Sequence, residues 1–435
     1  MARIRSAKLP QLVSLVAPVL AALLGGLGIA STAAAAPVEP LQSMVKKEKP
    51  AVVDTLRQLV EIESGSRDKP GLDKLAALLQ ERLRALGGKI EVVDGNAEVT
   101  RLYDTPAQIG NIVIARWEGT GTKRIMLMAH MDTVYPAGTL AKRPFRIEGS
   151  RAYGPGIADD KGGVAVILHG LSILRALEFR NFKTLTVMIN GDEEISSPGA
   201  RSLFAKVGAE QDFVISCEPT GVSKDEIALA TSGIGAAMLT VRGKSAHAGV
   251  NPELGRNALV ELSHQILQTR DLSDAQRGIK FNWTLAKGGA VRNIIPDEAS
   301  ASADVRVQRV ADLDLVERNF RERVKNKLIP DTQVEPSFER RRAPLEATDA
   351  SRAVAKKAQA IYAEIGKSLG YDESGRGGGT DASFAALSGK PTVVESFGLA
   401  GFGYHSSEEE YVDMDSIEPR LYLLVRLVMD LAAGK

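Results

Sequence analysis

The stretch TLTVMINGDEEISSPGA, residues 184–200, places a short apolar run directly before three acidic residues, Asp192, Glu193 and Glu194. Residues 184–190 are β-branched and apolar, and a glycine stops the run, so we expect a buried strand rather than a helix. Adjacent carboxylates repel one another at such a strand end, so either water solvates them or a cation holds them. The stretch therefore predicts a core strand that ends in a group of acidic side chains.

The composition is typical of a globular protein. The chain has 435 residues, of which 44% are hydrophobic and 25% charged, and this length is sufficient for two domains. A formal net charge of +1 gives no basic footprint for nucleic acid, and no segment beyond the N-terminus is apolar enough to span a membrane. We therefore expect a small soluble substrate, no nucleic acid, and no membrane association of the mature chain.

Residues 1–35 have the features of a signal peptide. Arg3, Arg5 and Lys8 precede an apolar run over residues 12–29, and the small residues of STAAAAP follow at the spacing that a signal peptidase reads. A retained membrane anchor is the alternative, against which the small residues argue. The single cysteine, Cys217, cannot form an intrachain disulfide, so the predicted periplasmic or secreted location rests on this segment alone.

Past residue 37, helical patterns alternate with short buried runs. This alternation predicts an α/β catalytic domain with a mostly parallel, doubly wound sheet over residues 37–231, which resumes over residues 346–435. Between residues 232 and 345 the expected order of elements is βαββαβ instead. The sequence therefore predicts a smaller α+β domain inserted into the larger one.

Histidine and acidic residues recur where the predicted strands end. In open α/β sheets the carboxyl edge is where sites form. Imidazole and carboxylate together suit zinc or a similar transition ion, and two neighbouring ions need a bridging carboxylate. The residues at these positions are His130, Asp132, Asp159, Asp160, Glu193, Glu194, Glu218 and His405.

Each of these pieces also has a simpler interpretation. A lone histidine at a strand end is more often an ordinary hydrogen-bonded residue, and a pair of glutamates is usually a solvated loop. The pair Asp159–Asp160 precedes a helical pattern and could be no more than an N-cap. Five separate pieces at five strand or loop ends are nevertheless an improbable coincidence, so together they indicate a metal site.

Several motifs resemble one known family in order and spacing. They are AHMDTVY, YGPGIADDKGG, GDEE, CEPT, GKSAHAG, NIIP, GGGTDA and GFGYH. Over almost the whole mature chain the sequence resembles the co-catalytic zinc metallopeptidases, which include aminoacylases, desuccinylases and glutamate carboxypeptidases. Within them it is most similar to the exported glutamate carboxypeptidases, or folate hydrolases, of the carboxypeptidase G type. Cys217, before Glu218, departs from the pattern at a packing position.

The resemblance implies two zinc ions per subunit and five protein ligands. His130 and Glu218 would complete one metal site, while Glu194 and His405 would complete the other. Asp159 would bridge the two ions.

The resemblance also implies the catalytic roles. Asp132 would orient His130 through its other ring nitrogen, and Glu193 would be the general base that later protonates the leaving nitrogen. His247 resembles the family's lid histidine, which stabilises the oxyanion from a partner subunit or a closed lid, and Asn293 would be its companion donor. A homodimer through the inserted domain follows from the same resemblance.

A substrate that ends in glutamate carries two carboxylates, so its pocket needs cationic and hydrogen-bonding groups. Arg306 and Arg342 are candidates because an arginine fork binds a carboxylate bidentately, although a run of arginines is often a solvated surface. Gly378, Gly379 and Thr380 could cradle the second carboxylate through backbone and hydroxyl groups.

The sequence thus predicts a zinc carboxypeptidase that hydrolyses the amide bond to a C-terminal glutamate in N-acyl glutamates, including folate-like conjugates. One alternative is another N-acyl amino acid amidohydrolase of the same family, such as an aminoacylase or desuccinylase. A second is a non-catalytic exported binding protein, against which Glu193 argues because capture needs no base. A serine hydrolase is disfavoured because no G-x-S-x-G motif is present.

Overall fold

The computed structural model describes residues 36–375, 377–406 and 408–434. The predicted signal peptide, residues 1–35, lies outside the described residues. Within these ranges no helix combines the length and the apolar character that crossing a membrane requires.

Helices and strands alternate along most of the described chain. The helices are α1 (Leu41–Val60), α2 (Lys69–Ala85), α3 (Lys161–Ala176), α4 (Arg201–Glu210), α5 (Ala258–Thr269), α6 (Val310–Arg323), α7 (Asp349–Glu364), α8 (Ala382–Ala385) and α9 (Ile417–Ala432). The strands are β1 (Lys89–Val93), β2 (Ile112–Glu118), β3 (Arg124–His130), β4 (Arg146–Glu148), β5 (Arg151–Tyr153), β6 (Thr184–Asn190), β7 (Phe213–Ser216), β8 (Thr220–Gly221), β9 (Glu226–Ala228), β10 (Gly233–Arg242), β11 (Ala246–His247), β12 (Lys280–Gly288), β13 (Ile294–Ile295), β14 (Glu298–Val307), β15 (Gln333–Arg342), β16 (Gly370–Asp372), β17 (Thr392–Val394), β18 (Ala400–Phe402) and β19 (Tyr411–Asp413).

The central sheet has a parallel part and an antiparallel edge. Its strand order is β1-β2-β6-β3-β7-β17. Strands β6, β3, β7 and β17 run parallel, whereas β2 is antiparallel to β6 and β1 is antiparallel to β2. The buried runs at β3, β6, β7 and β17 form the predicted parallel part, whereas the buried run at β2, also expected there, is antiparallel to its neighbour.

Side chains of β3 alternate between two hydrophobic layers, one on each face of the sheet. Ile125, Leu127 and Ala129 join a layer that includes α1, α3 and α9, while Met126 and Met128 join a layer that includes α4 and α8. Successive residues of a strand point to opposite faces, so this is the pattern of a strand that helices cover on both sides. The predicted doubly wound α/β fold is therefore confirmed.

Strands β3, β6 and β7 end at the same edge of the sheet. His130 lies beside Asn190 in the register, and Met128 lies beside Ser216. The chain segments that follow these three strands consequently emerge together, which is where sites form in open α/β sheets.

Residues between β10 and β15 form a second sheet with its own hydrophobic core. The antiparallel order is β12-β14-β10-β15, and α5 and α6 pack against it. Leu239, Val305, Leu313 and Phe320 belong to this core, which is separate from the two layers of the central sheet. Apart from the two-residue strands β11 and β13, the order of elements along the chain is β10, α5, β12, β14, α6, β15, as the βαββαβ prediction requires. We refer to residues 232–345 as the lid; these limits remain a prediction.

A small sheet places two loops side by side. Strands β18 and β19 form an antiparallel pair, and β19 also pairs with β5. The loop between β18 and β19 carries His405, and the loop after β5 carries Asp159. The sheet therefore brings these two residues to the same place although they are far apart in sequence.

Replacing Phe320 by alanine should destabilise the lid. Phe320 is fully buried, and its ring centroid lies 6.0 Å from that of Phe281 and 6.2 Å from that of Trp283. Loss of such a ring from a core typically costs about 3–5 kcal/mol of unfolding free energy. Urea unfolding followed by tryptophan fluorescence measures the change. Leu328→Ala, at a position that is 55% exposed, is the control; equal stability of the two variants would contradict the expectation.

Candidate active site

The carboxylate of Asp132 organises the acidic turn after β6. It is fully buried and accepts hydrogen bonds from the backbone N–H groups of Glu193 (3.0 Å) and Glu194 (3.1 Å) and from the hydroxyl of Ser66 (2.7 Å). Glu193 and Glu194 belong to a single 3-10 turn, in which adjacent side chains point in different directions. The two carboxylates therefore meet different partners.

His130 has both ring nitrogens engaged. Its Nδ1 lies 3.0 Å from the backbone oxygen of Asp132 and 3.4 Å from the Asp132 carboxylate. Its Nε2 lies 3.0 Å from Asp159 and 3.7 Å from Glu218. A hydrogen bond from Nδ1–H to Asp132 would leave the Nε2 lone pair facing the acidic groups, which is the tautomer that a metal ligand needs. Asp132 thus lies where the sequence predicts an orienting residue, with its backbone oxygen making the shorter contact.

Asp159 lies between the two histidines. Its Oδ1 is 3.0 Å from Nε2 of His130, and its Oδ2 is 3.1 Å from Nε2 of His405. The neighbouring Asp160 has a different role, because it caps α3 by accepting a hydrogen bond from the N–H of Gly163 (3.2 Å). The N-cap interpretation is therefore confirmed for Asp160, whereas metal binding by Asp159 remains a prediction.

Glu194 and His405 form the other half of the cluster. The Nε2 of His405 lies 3.0 Å from Oε2 and 3.2 Å from Oε1 of Glu194. His405 has a backbone φ of 54°, and Ser196, close to Glu194 in sequence, has a φ of 70°. Residues other than glycine seldom adopt this left-handed conformation, and those that do are concentrated at functional sites.

The cluster favours positive charge between its members. Burial raises the pKa of Glu194 to about 7. Hydrogen bonds to Asp159 and Glu194 raise the pKa of His405 to about 11. Burial alone would lower the pKa of His130, but the surrounding carboxylates, Glu218 first, raise it well above its ordinary value. The raised pKa values of the two histidines indicate excess negative charge around them.

The donor set fits a pair of transition-metal ions. Ligand atoms that share an ion at about 2.0–2.2 Å in tetrahedral geometry lie roughly 3–4 Å apart. The contacts of Asp159 to the two histidines have this spacing, and the ligand atoms of His130, Asp159 and Glu194 all lie within 4.8 Å of one another. Mixed imidazole and carboxylate donors are typical of zinc and similar ions. Which residues hold which ion remains a prediction.

Glu193 pairs with an arginine from the lid. Nη1 of Arg342 lies 2.5 Å from the Glu193 carboxylate and 2.9 Å from that of Asp381, and its Nη2 donates to the backbone oxygen of Glu193 at 2.7 Å. Arg342 is only 3% exposed. Burial raises the pKa of Glu193 well above its ordinary value, and the adjacent guanidinium opposes part of that effect.

The structure does not bring His247 and Asn293 to this cluster. The two residues lie beside one another on the lid, where the N–H of Ala248 donates to the backbone oxygen of Asn293 at 2.9 Å. Both are exposed, and neither lines the large cavity that contains Glu193 and His405. Their predicted role therefore needs a closed lid or a second subunit.

The other residues predicted to bind substrate do line that cavity. Arg306 is fastened by the carboxylate of Asp304 at 2.8 Å and donates to the backbone oxygen of Gly377 at 3.0 Å. Gly378, Gly379 and Thr380 also face the cavity, but the Thr380 hydroxyl donates to a buried carboxylate, that of Glu395, at 2.9 Å. This hydroxyl is already engaged as a donor.

Glu410 is a buried residue that the sequence analysis missed. Its carboxylate accepts hydrogen bonds from the backbone N–H groups of Gly156 (2.8 Å), Ala158 (2.7 Å) and Asp159 (3.0 Å). Glu410 therefore ties the loop of Asp159 to the loop that carries His405. Its place at the end of the run SSEEEY resembles a solvated acidic patch, so no local signal distinguishes it from Glu409.

The fold and the acidic histidine cluster together define a metallohydrolase, and comparison with known proteins gives the family. The model of peptidase family M20/M25/M40 matches residues 126–430. The chain belongs to this family. The predicted family and the predicted metallo-carboxypeptidase are therefore confirmed, and a binding protein without activity is excluded.

Similar proteins cover most of the chain. Carboxypeptidase G2 of Pseudomonas sp. (strain RS-16) is 46% identical over 388 residues, which are 89% of this chain and 91% of that protein. A succinyl-diaminopimelate desuccinylase of Gluconobacter oxydans is 28% identical and covers 70% of this chain and 81% of its own. The crystal structure of aminopeptidase PepT from Bacillus cereus has a TM-score of 0.71 at 21% identity, covering 88% of this chain and 99% of that one. The last likeness concerns the fold alone.

Glu410→Gln should weaken metal binding. The amide replaces one of the two oxygens that accept backbone hydrogen bonds with a donor, so the loop of Asp159 loses its fixed geometry. Removing a group that orients metal ligands typically costs about 10–100-fold in metal affinity. Competition between the metal-free protein and a chromophoric zinc chelator measures the affinity. Glu409→Gln is the matched control, since Glu409 is exposed and pairs with Arg146; similar affinities for the two variants would refute the bracing role.

Proposed function

We propose that the chain is a periplasmic or secreted zinc carboxypeptidase that releases C-terminal glutamate from N-acyl glutamates, including folate-like conjugates, with two Zn²⁺ per subunit. The single observation that carries the glutamate assignment is a pair of arginines on one face of the lid sheet. Ile234 of β10 pairs with Arg306 on one side and with Arg342 on the other. Directly paired residues of an antiparallel sheet present their side chains on the same face.

Arg306, Ile234 and Arg342 form a row across three neighbouring strands, and the geometry of this row suits a substrate with two carboxylates. The outer strands of three neighbouring strands lie about 10 Å apart, a separation that two side chains as long as arginine can span to reach one small dianion. The Nε of Arg342 is buried and has no hydrogen-bond partner among the described residues, so one donor of this guanidinium is unsatisfied. The row therefore supports a pocket for glutamate beside Glu193.

Gly379 allows the glycine-rich loop to approach this row. A Cβ at Gly379 would lie 2.7 Å from Ile234 and 2.9 Å from Arg342, which is too close for any other residue without a shift. The loop thereby brings backbone groups beside the two arginines, where they can complete the carboxylate pocket.

The catalytic roles follow from the position of each group. Zinc bound at the cluster would lower the pKa of a water molecule and polarise the scissile carbonyl. Glu193, with one carboxylate oxygen held by Arg342, would accept the proton of the attacking water and deliver it to the leaving nitrogen. Asp132 fixes the turn that carries Glu193, and it therefore sets the direction from which the base acts.

The likeness to carboxypeptidase G2 supports release of a C-terminal residue, and the arginine row supports glutamate as that residue. Another amidohydrolase of the family is the second candidate, because a relative at 28% identity is named a succinyl-diaminopimelate desuccinylase. Comparison of glutamate and arginine substrates discriminates between them, since only the glutamate assignment needs both carboxylates to be bound.

A homodimer would explain the position of His247. Several apolar residues of the lid are exposed, among them Leu267 (59%), Leu285 (58%) and Val250 (71%). Strand β12 is also an edge strand, which can pair with another chain. We therefore infer that two lids associate and that each presents His247 and Asn293 to the site of its partner.

The exported location rests on residues 1–35, which carry the cationic, apolar and small-residue segments of a signal peptide.

The mature protein should release glutamate from 4-aminobenzoyl-glutamate but not arginine from 4-aminobenzoyl-arginine, and a chelator should abolish the release. Glu193→Gln should lower kcat by about 10²–10⁴-fold, because it removes the general base while keeping its shape. A coupled glutamate assay measures the rates, and metal analysis of the variant verifies that the ions are retained. Inactivity of the metal-loaded protein on the glutamate compound would overturn the assignment.

His247→Ala alone should lower kcat by about 10²–10³-fold, since it removes an oxyanion donor. If the donor comes from the partner, mixing His247→Ala with Glu193→Gln under subunit exchange should restore about a quarter of wild-type activity. Random exchange makes about half of the dimers hybrid, and each hybrid holds one complete site. Absence of recovery in a mixture whose hybrid content is verified by mass spectrometry would argue against the shared site.

A further inference from the structure

An exposed aromatic side chain lines the same cavity as the catalytic groups. The cavity has a volume of about 820 Å³, and its lining includes Glu193, His405, Tyr103 and Val134. Sites of this size enclose drug-sized molecules, so there is room for more than a glutamate residue. Tyr103 is 57% exposed and Val134 is 42% exposed, which leaves apolar surface open at this part of the cavity.

Tyr103 belongs to the segment between β1 and β2, and several contacts fasten this segment in place. The N–H of Tyr103 donates to the carboxylate of Glu339 at 2.7 Å. The Nη2 of Arg341 contacts both carboxylate oxygens of Asp104, at 2.9 and 3.1 Å, and Arg67 donates to the backbone oxygen of Asp104 at 2.8 Å. An exposed ring is usually mobile, but the backbone under this one is held by the lid and by the catalytic domain.

A β-bulge aims Arg341 at this segment. In the pairing of β10 with β15, Ile234 lies opposite Arg342 and Gly235 lies opposite Arg340, so Arg341 is the extra residue. Bulges of this kind redirect a side chain and are frequent beside active sites. The Arg341 guanidinium carbon lies 5.6 Å from the centroid of the Tyr103 ring. Arg341 therefore supports one part of the ring, while more than half of the residue stays exposed.

We propose that Tyr103, held in place by Arg341, is the stacking surface for an aromatic acyl group on the substrate. The proposal rests on the proposed function and deepens it by naming the residue that contacts the aromatic acyl group of folate-like conjugates. An aryl ring stacks on tyrosine in offset or edge-on geometry and gains more than its buried area alone provides. A ring that is already fixed loses little conformational entropy when the substrate binds. Tyr103 is accordingly a specificity residue, and Arg341 positions it.

The test compares two substrates that differ only in the acyl group, benzoyl-glutamate and acetyl-glutamate. Tyr103→Ala should lower kcat/KM for benzoyl-glutamate by about tenfold and change that for acetyl-glutamate by less than about twofold. Tyr103→Phe keeps the ring and should retain nearly the wild-type ratio. Leu387→Ala is the matched control, because Leu387 is also 57% exposed and does not line the cavity among the residues described.

Arg341→Met tests the positioning role. It removes the guanidinium but keeps an unbranched side chain, so it should lower kcat/KM for benzoyl-glutamate several-fold with little effect on acetyl-glutamate. The double variant with Tyr103→Ala should be no worse than Tyr103→Ala alone, since Arg341 acts through the ring. Equal losses on both substrates would instead show that Arg341 supports the fold, which would overturn its positioning role.

The outcomes separate this proposal from the proposed function. If the wild type cleaves neither glutamate compound, the function itself fails. If it cleaves both and Tyr103→Ala changes them by the same factor or not at all, the function stands and the stacking surface is refuted. If Tyr103→Ala lowers kcat/KM for benzoyl-glutamate selectively and Tyr103→Phe does not, the stacking surface is supported.

Discussion

The carboxylate of Asp132 is the group on which the geometry of the centre depends. It is buried between two parallel strands, and its hydrogen bonds to the N–H groups of Glu193 and Glu194 fix the turn that follows β6. The backbone oxygen of the same residue meets Nδ1 of His130, at the end of β3. One residue thus fixes the orientation of His130 at the end of one strand and of Glu193 and Glu194 after the next. Without these hydrogen bonds, the turn that carries Glu193 and Glu194 would not hold the two side chains in different directions.

The negative charges of the buried carboxylates are compensated in two ways. The carboxylates around His130 and His405 favour a cation between them, which is what a metal-binding site requires. Glu193 lies outside that set and is compensated by a protein cation, Arg342, which Asp381 shares. The two adjacent glutamates therefore have different counter-charges, which is the arrangement that the predicted division between a metal ligand and a general base requires.

The sequence was sufficient for the fold and for the members of the cluster, because both depend on local patterns. Strand β6 could be predicted from its apolar run and terminal glycine, and the residues after it could be predicted to meet at one edge because parallel strands end together. The pairing of Glu193 with Arg342 could not, since it joins positions 149 residues apart. Glu410 was missed for a similar reason. Its partners are backbone N–H groups, which every residue except proline has, so the sequence does not reveal them.

The bulge at Arg341 shows the same limit in another form. Three consecutive arginines in a sequence indicate only positive charge, and nothing local tells which of them turns toward the cavity. One additional residue in β15 directs Arg341 to Asp104, whereas Arg342 reaches Glu193. Which residues each arginine contacts depends on the register between β15 and its partner strand β10.

The two chain segments that join the lid to the rest of the protein are paired with one another. The N–H of Thr231 donates to the backbone oxygen of Leu345 at 3.0 Å, and Gly233 lies against Pro344. A double connection of this kind resists twisting more than a single linker does, so any swing of the lid would have to turn about these two paired segments as its pivot. Arg342 lies beside that pivot and would keep its contact with Glu193 during such a swing. The far strands, with His247 on them, would travel furthest.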